Sequence, residues 1–166
     1  MGKSIQLLER LKRKPGYEKF ISANPDAFLY AMFCIVSANE KEGDKIQFDF
    51  YLPKEKKISY SEYPFDEVKV QNQTTEFVPK PINIESFRID VEDLWNAVEK
   101  VQNEKNDKSS INKIIAIFKE DCLDLTCMSS TLDILKIKID QFSGECIDYK
   151  KENLTNFVQV RKGEKK

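Results

Sequence analysis

The chain has no histidine among its 166 residues, five glycines, six prolines and no excess charge of either sign. Each shortage removes a class of function. Without histidine, the usual general base for a serine or cysteine nucleophile is missing, and so is a common nitrogen ligand for zinc. The glycines are scattered and form no Gly-x-x-x-x-Gly-Lys loop of the kind that cradles phosphates. The most apolar run, Phe28 to Val36, falls far short of the roughly 20 residues that span a bilayer as a helix.

Lys and Arg number 27 against 28 Asp and Glu, a net charge of -1. The balance also holds locally, because residues 1–83 carry 13 basic and 12 acidic side chains and residues 84–166 carry 14 and 16. Phosphate-backbone binding draws on clustered Lys and Arg, so no nucleic-acid partner is expected. The basic clusters Lys12-Arg13-Lys14 and Arg161, Lys162, Lys165, Lys166 read as a solvated helix end and a terminus. Charges interrupt the opening Met-Gly-Lys-Ser-Ile-Gln-Leu-Leu-Glu-Arg before it reaches the apolar length of an export signal. Gln6 stands where a myristoylation motif wants Ser or Thr. These features predict a cytoplasmic protein with no membrane attachment, whose four cysteines stay reduced and pack as small hydrophobes.

What is present is a pattern of helices and strands. Ile5, Leu8 and Leu11 make a helical stripe that Ser4 could cap, and Pro15-Gly16 should bend the chain into a second short helix. Phe28 to Val36, apolar on both faces, reads as a central strand, with a short buried helix as the alternative. Ile46, Phe48, Phe50 and Leu52 alternate with Gln47, Asp49 and Tyr51, the mark of a half-buried strand. Pro53 to Lys56 turns the chain into a partner strand at Lys57–Ser61. Tyr63 to Glu85 holds three prolines and the polar run Gln71 to Thr75. It reads as an irregular connection with a strand at Val68–Val70 or Glu76–Val78.

A second cycle starts at Ile89 or Asp90 with a helix carrying Val91, Leu94, Trp95, Val98 and Val101. Apolar segments Ile111–Phe118 and Leu123–Met128 follow. Leu135, Ile137 and Ile139 then alternate with Lys136, Lys138 and Asp140 before a Phe142 to Glu145 turn and a last strand from Cys146. A shift of 89 residues lays Ile46–Phe50 on Leu135–Ile139, Ile58–Tyr60 on Ile147–Tyr149 and Ile5 on Leu94. The predicted fold is α+β, an antiparallel sheet with helices on one face, built as a duplicated helix-plus-strands unit. The expected layout is a first unit at 1–62, a Pro-containing connection at 63–89, a second unit at 90–152 and a charged tail at 153–166.

Candidate chemistry is sparse. Cys122 and Cys127 stand five apart, which in a strand points them to opposite faces, so no metal site is expected. Asp49, Asp140 and Glu145 read as solvated strand-face and turn residues, no catalytic set is assigned, and no cofactor is expected. Nine aromatics fall between Phe28 and Phe65. Most belong to the core, while Tyr60, Tyr63 and Phe65, beside prolines, are the candidates for an exposed partner-binding patch.

The stretch Leu135-Lys136-Ile137-Lys138-Ile139-Asp140-Gln141-Phe142-Ser143-Gly144-Glu145-Cys146-Ile147, after its helix, resembles a PepSY-type unit. Asp140, Gly144 and Glu145 stand where that hairpin carries an Asp and a Gly-Glu, whereas the first half has Tyr51, Glu55 and Lys56 there. The resemblance covers about residues 90–150. It implies protein binding or peptidase inhibition, often in exported proteins, and supplies no catalytic residues. The leading expectation is a small non-enzymatic binding or scaffold module that contacts a protein partner or a second copy through a sheet edge or aromatic patch. The alternative is a small-molecule-binding protein or enzyme with a pocket between helix and sheet, lined by Phe33, Phe48, Trp95 and Ile137.

Overall fold

Alternation along each strand decides which face of the sheet is buried. The computed structural model describes residues 2–39, 41 and 43–155. The order is α1 (Lys3–Lys12), α2 (Pro15–Ala23), β1 (Phe28–Ser37), β2 (Lys45–Leu52), β3 (Lys57–Glu62), β4 (Lys69–Thr74), α3 (Leu94–Glu104), β5 (Ile111–Phe118), β6 (Cys122–Ser129), β7 (Asp133–Asp140) and β8 (Cys146–Asn153). Short 3-10 turns at Ile84–Ser86 and Val91–Asp93 lead into α3. The eight strands form one antiparallel sheet in the order β4-β3-β2-β1-β5-β6-β7-β8. Two four-stranded meanders therefore meet where β1 pairs with β5. The expected α+β class holds.

Met32 lies between Phe48 and Phe118 in the register, Ala116 pairs with Leu125, and Leu125 with Ile137. These residues share one face and one core with Leu7 and Leu11 of α1, Phe20 of α2, and Leu94, Val98 and Val101 of α3. Burial of that apolar surface, at about 25 cal/mol per Å2, is the main stabilising contribution. No helix among the described residues is long and apolar enough to cross a membrane.

Pro15 opens α2 at its first position, where its missing N–H costs nothing. Ser4 does not cap α1. Gly2 holds the N-cap position, and Ser4 sits inside the helix, fully buried. The polar run expected to be irregular is instead β4, paired to β3 and exposed along its whole length. An edge strand with neither face buried is held by ladder bonds alone and needs no apolar alternation. β4 also places a strand inside the 63–89 connection. The charged tail falls largely at 156–166, outside the described residues.

The 89-residue shift fits α1 onto α3 and lays β2 on β7 and β3 on β8, one strand away from a match by place in the sheet. β2, β3 and β4 begin at 45, 57 and 69, and β6, β7 and β8 at 122, 133 and 146. Counting outward from the central β1–β5 pair therefore matches strands separated by 76 or 77 residues. Among the described residues no helix stands between α3 and β5 as α2 does between α1 and β1, which shortens the spacing after α3.

Candidate functional site

The face of the sheet turned away from the helices carries the residues of the other parity. Across its centre, Phe33 pairs with Ile117 and Ile35 with Ile115, all four half-buried. Phe28 and Tyr51 extend this apolar belt, their ring centroids 5.6 Å apart. A bulge between Leu29 and Ala31 breaks the β1 register next to this belt. An extra residue in one strand re-aims a side chain, and Tyr30 at the bulge meets Phe77 of the connection edge-to-face, with centroids 6.3 Å apart.

These residues frame a groove of about 510 Å3 lined by Tyr30, Ala31, Asp49, Phe77, Pro79 and Ile117, with Lys80, Lys119, Glu120 and Asp121 at its charged end. Ala31 pairs with Asp49 in the register, so a small side chain leaves space beside the carboxylate. Asp49 accepts a hydrogen bond on Oδ1 from Gln47 Nε2 at 2.6 Å. Burial pushes its pKa up to about 6, and the Gln47 bond offsets part of that rise. The Tyr30 phenol is raised by burial and by the Asp49 charge, so it stays protonated. Asp49 is thus a half-buried groove residue rather than the freely solvated strand-face residue expected, because Ala31 and Tyr60 flank it within the sheet.

The expected pocket residues are not brought together. Phe48 and Ile137 lie in the core on the helix side and Trp95 packs against that core, whereas Phe33 stands on the opposite face. Two smaller grooves border the helices. One of about 320 Å3 runs between α3 and the β7–β8 turn, past Arg88, Lys100 and Cys146, and one of about 330 Å3 lies between α1 and the Ile82 to Glu85 segment.

The expected aromatic patch divides. Tyr63 is half exposed and lines a cleft of about 170 Å3 with Tyr60, Glu62 and Pro64. Phe65 is not exposed. Its backbone takes a positive φ of 69°, and its ring is buried against Phe48 and Tyr63, with centroids 5.5 Å from each.

At the β7–β8 turn, Asp140 Oδ1 accepts from Phe142 N at 2.7 Å, and Gly144 adopts φ 77°. Asp140 and Gly144 thus serve the turn itself, with an Asx-type bond and a left-handed residue. Cys127 lies in the core and Cys122 on the other face, as their spacing requires. All four cysteines are free, and burial pushes the Cys34 and Cys127 thiols up to about 12.

No protein-family model matches this chain. No curated protein matches it either. In fold it is similar to the crystal structure of a "putative lipoprotein" from Clostridium difficile 630, with a TM-score of 0.51 and 13% identity, covering 81% of this chain and 89% of that one. At that identity the likeness is one of fold alone.

Proposed function

We propose that this protein is a small non-enzymatic binding module that holds a protein partner against the face of its sheet turned away from α1, α2 and α3. One observation carries the reading: the apolar belt through Phe33, Ile35, Ile115 and Ile117 is continuous with the Tyr30–Phe77 groove, and Phe77 and Val78 stand exposed at its rim. Scattered apolar residues are ordinary on a surface, but a contiguous patch with aromatic anchors is typical of an interface. The exposed β4 edge, next in the sheet to β3, lets the contact extend by strand addition. The free cysteines support a reducing, cytoplasmic setting. The mirrored sheet order supports duplication of a helix-plus-strands unit, the second of which carries the PepSY-like stretch at about residues 90–150.

A photo-crosslinking side chain at position 77, compared with one at Glu99 on α3, tests the reading in extracts of the source organism. A discrete adduct of one protein from position 77, absent from position 99 and lost when Ile117→Asp is added, is the expected result. No adduct from position 77, or equal adducts from both positions, would overturn it. A second copy as partner appears in the same experiment as an adduct of twice the monomer mass.

The groove volume favours one second reading, because small-molecule sites occupy about 300–1,000 Å3. Native mass spectrometry of gently purified protein then shows a reproducible adduct of defined mass, and that adduct disappears in Phe77→Ala.

A further inference from the structure

We propose that the groove at Asp49 takes an arginine side chain of the protein partner, with Asp49 as its counter-ion and the Tyr30 and Phe77 rings as its walls. This deepens the docking reading above and rests on it. The groove combines an apolar channel with an uncompensated acid. Its two lysines are already engaged: Lys119 Nζ lies 2.6 Å from Asp124 Oδ2, and Lys80 Nζ lies 3.8 Å from Glu120 Oε2. Asp49 and Asp121 take part in no ion pair among the described residues. Of the Asp49 oxygens, Oδ1 holds the Gln47 amide and Oδ2 has no hydrogen-bond donor among the described residues.

A carboxylate held beside apolar residues lacks part of its hydration, so an entering cation recovers a large interaction there. The walls select the kind of cation. Tyr30, Phe77 and Pro79 suit the aliphatic stem of a long side chain, and aromatic faces attract a guanidinium. Arginine is more weakly hydrated than lysine and can stack while donating to a carboxylate, which makes it the better match to this lining. The exposed Phe77 and Val78 at the mouth favour a side chain carried on a larger apolar surface over a free amine.

The test is a titration of the 15N-labelled full chain, followed by amide shifts, with N-acetylarginine amide and with its neutral isostere N-acetylcitrulline amide. The arginine probe is expected to shift Tyr30, Ala31, Asp49 and Ile117 with millimolar affinity. The citrulline probe should bind at least tenfold more weakly, and Asp49→Asn should weaken the arginine probe by at least tenfold in a protein whose amide spectrum is otherwise unchanged. Equal binding of the two probes, shifts mapping to another surface, or full binding by Asp49→Asn would each overturn the proposal. Its failure is separable from that of the docking reading. A position-77 adduct with no arginine binding leaves the docking face and removes the cationic anchor. Arginine binding with no adduct overturns the protein partner as the source of the cation.

Discussion

Asp90 takes two hydrogen bonds from Ser4, one from its backbone N at 3.3 Å and one from its Oγ at 3.0 Å, across 86 positions of sequence. The same carboxylate accepts from Val91 N at 2.6 Å, and Asp93 Oδ2 accepts from Asp90 N at 2.9 Å. One side chain therefore holds the start of α1 and caps the turn leading into α3. Both helices lie on the same face of the sheet, one in each half of the chain.

Removing this acceptor strands buried donors in both halves. Asp90→Ala is expected to cost about 3 kcal/mol, and Ser4→Ala about 1–2 kcal/mol, because Ser4 is fully buried and donates to a charged group. Gly2→Ala acts on the same junction, since a Cβ there would clash with Asp90 Oδ2 and force the carboxylate aside. Urea denaturation at pH 7 checks all three. If Asp90→Ala were as stable as the parent, the helices would not depend on this contact.

A second lock ties the end of α3 to the last strand. The Asp107 side chain, 2% exposed, accepts from Tyr149 Oη at 2.7 Å, Ser109 N at 2.8 Å and Gln102 Nε2 at 3.2 Å, and Lys151 Nζ lies 3.2 Å away. Burial alone would raise its pKa, but hydrogen bonds led by that of Tyr149 outweigh it and hold the carboxyl well below the usual carboxylate range. A lowered folded pKa gives stability that is present above the unfolded value near 4 and fades as the pH drops through the folded one. Asp107→Asn should therefore lose about 2 kcal/mol at pH 7 and nearly as much at pH 5, with the gap from the parent closing only below about pH 4. Denaturation midpoints at pH 7, 5 and 3 measure this, and a constant gap across the three would refute it.

The burial of Phe65 makes its own prediction. Phe65→Ala empties a packed site against Phe48 and should cost about 3–5 kcal/mol, whereas Tyr63→Ala, half exposed, should cost under about 1 kcal/mol. Similar losses for the two variants would mean that Phe65 is not the core residue of this pair.

These cases show where the sequence is readable. β2 and β7 are plain in the alternation of Ile46 to Leu52 and Leu135 to Ile139, because the core face is apolar while the other carries Gln47, Asp49, Lys136 and Lys138. The break at Pro15 and the helix start at Asp90 are equally local signals. β4 is silent because an exposed edge imposes no pattern on Lys69 to Thr74. Phe65 reads as exposed from its neighbours Tyr63 and Pro64, yet a positive φ at that residue carries its ring inward. The groove is the least legible part. Tyr30, Asp49, Phe77 and Ile117 belong to four separate segments and meet through a bulge and a proline-containing connection. No window of sequence holds more than one of them.

Asp49 supplies the last prediction, because its place in the groove works against the fold. Its pKa, raised by burial from near 4 to about 6, means that the folded state resists the charge. The sign is opposite to that of Asp107. The contribution of Asp49 to stability is most favourable below about pH 4, falls as the pH rises from there to about 6, and is level above. The titratable groups beside it are Tyr30 from β1, Tyr60 from β3 and Lys119, Glu120 and Asp121 at the groove end. Asp49→Asn should therefore gain about 1–2 kcal/mol at pH 7 and nothing at pH 4, the estimate being reduced for partial solvent access. A residue that destabilises the fold while charged fits a binding role, in which a partner's cation would supply the missing compensation. If Asp49→Asn were destabilising at pH 7, the carboxylate would already be compensated within the chain, and the case for an arriving cation would fall with it.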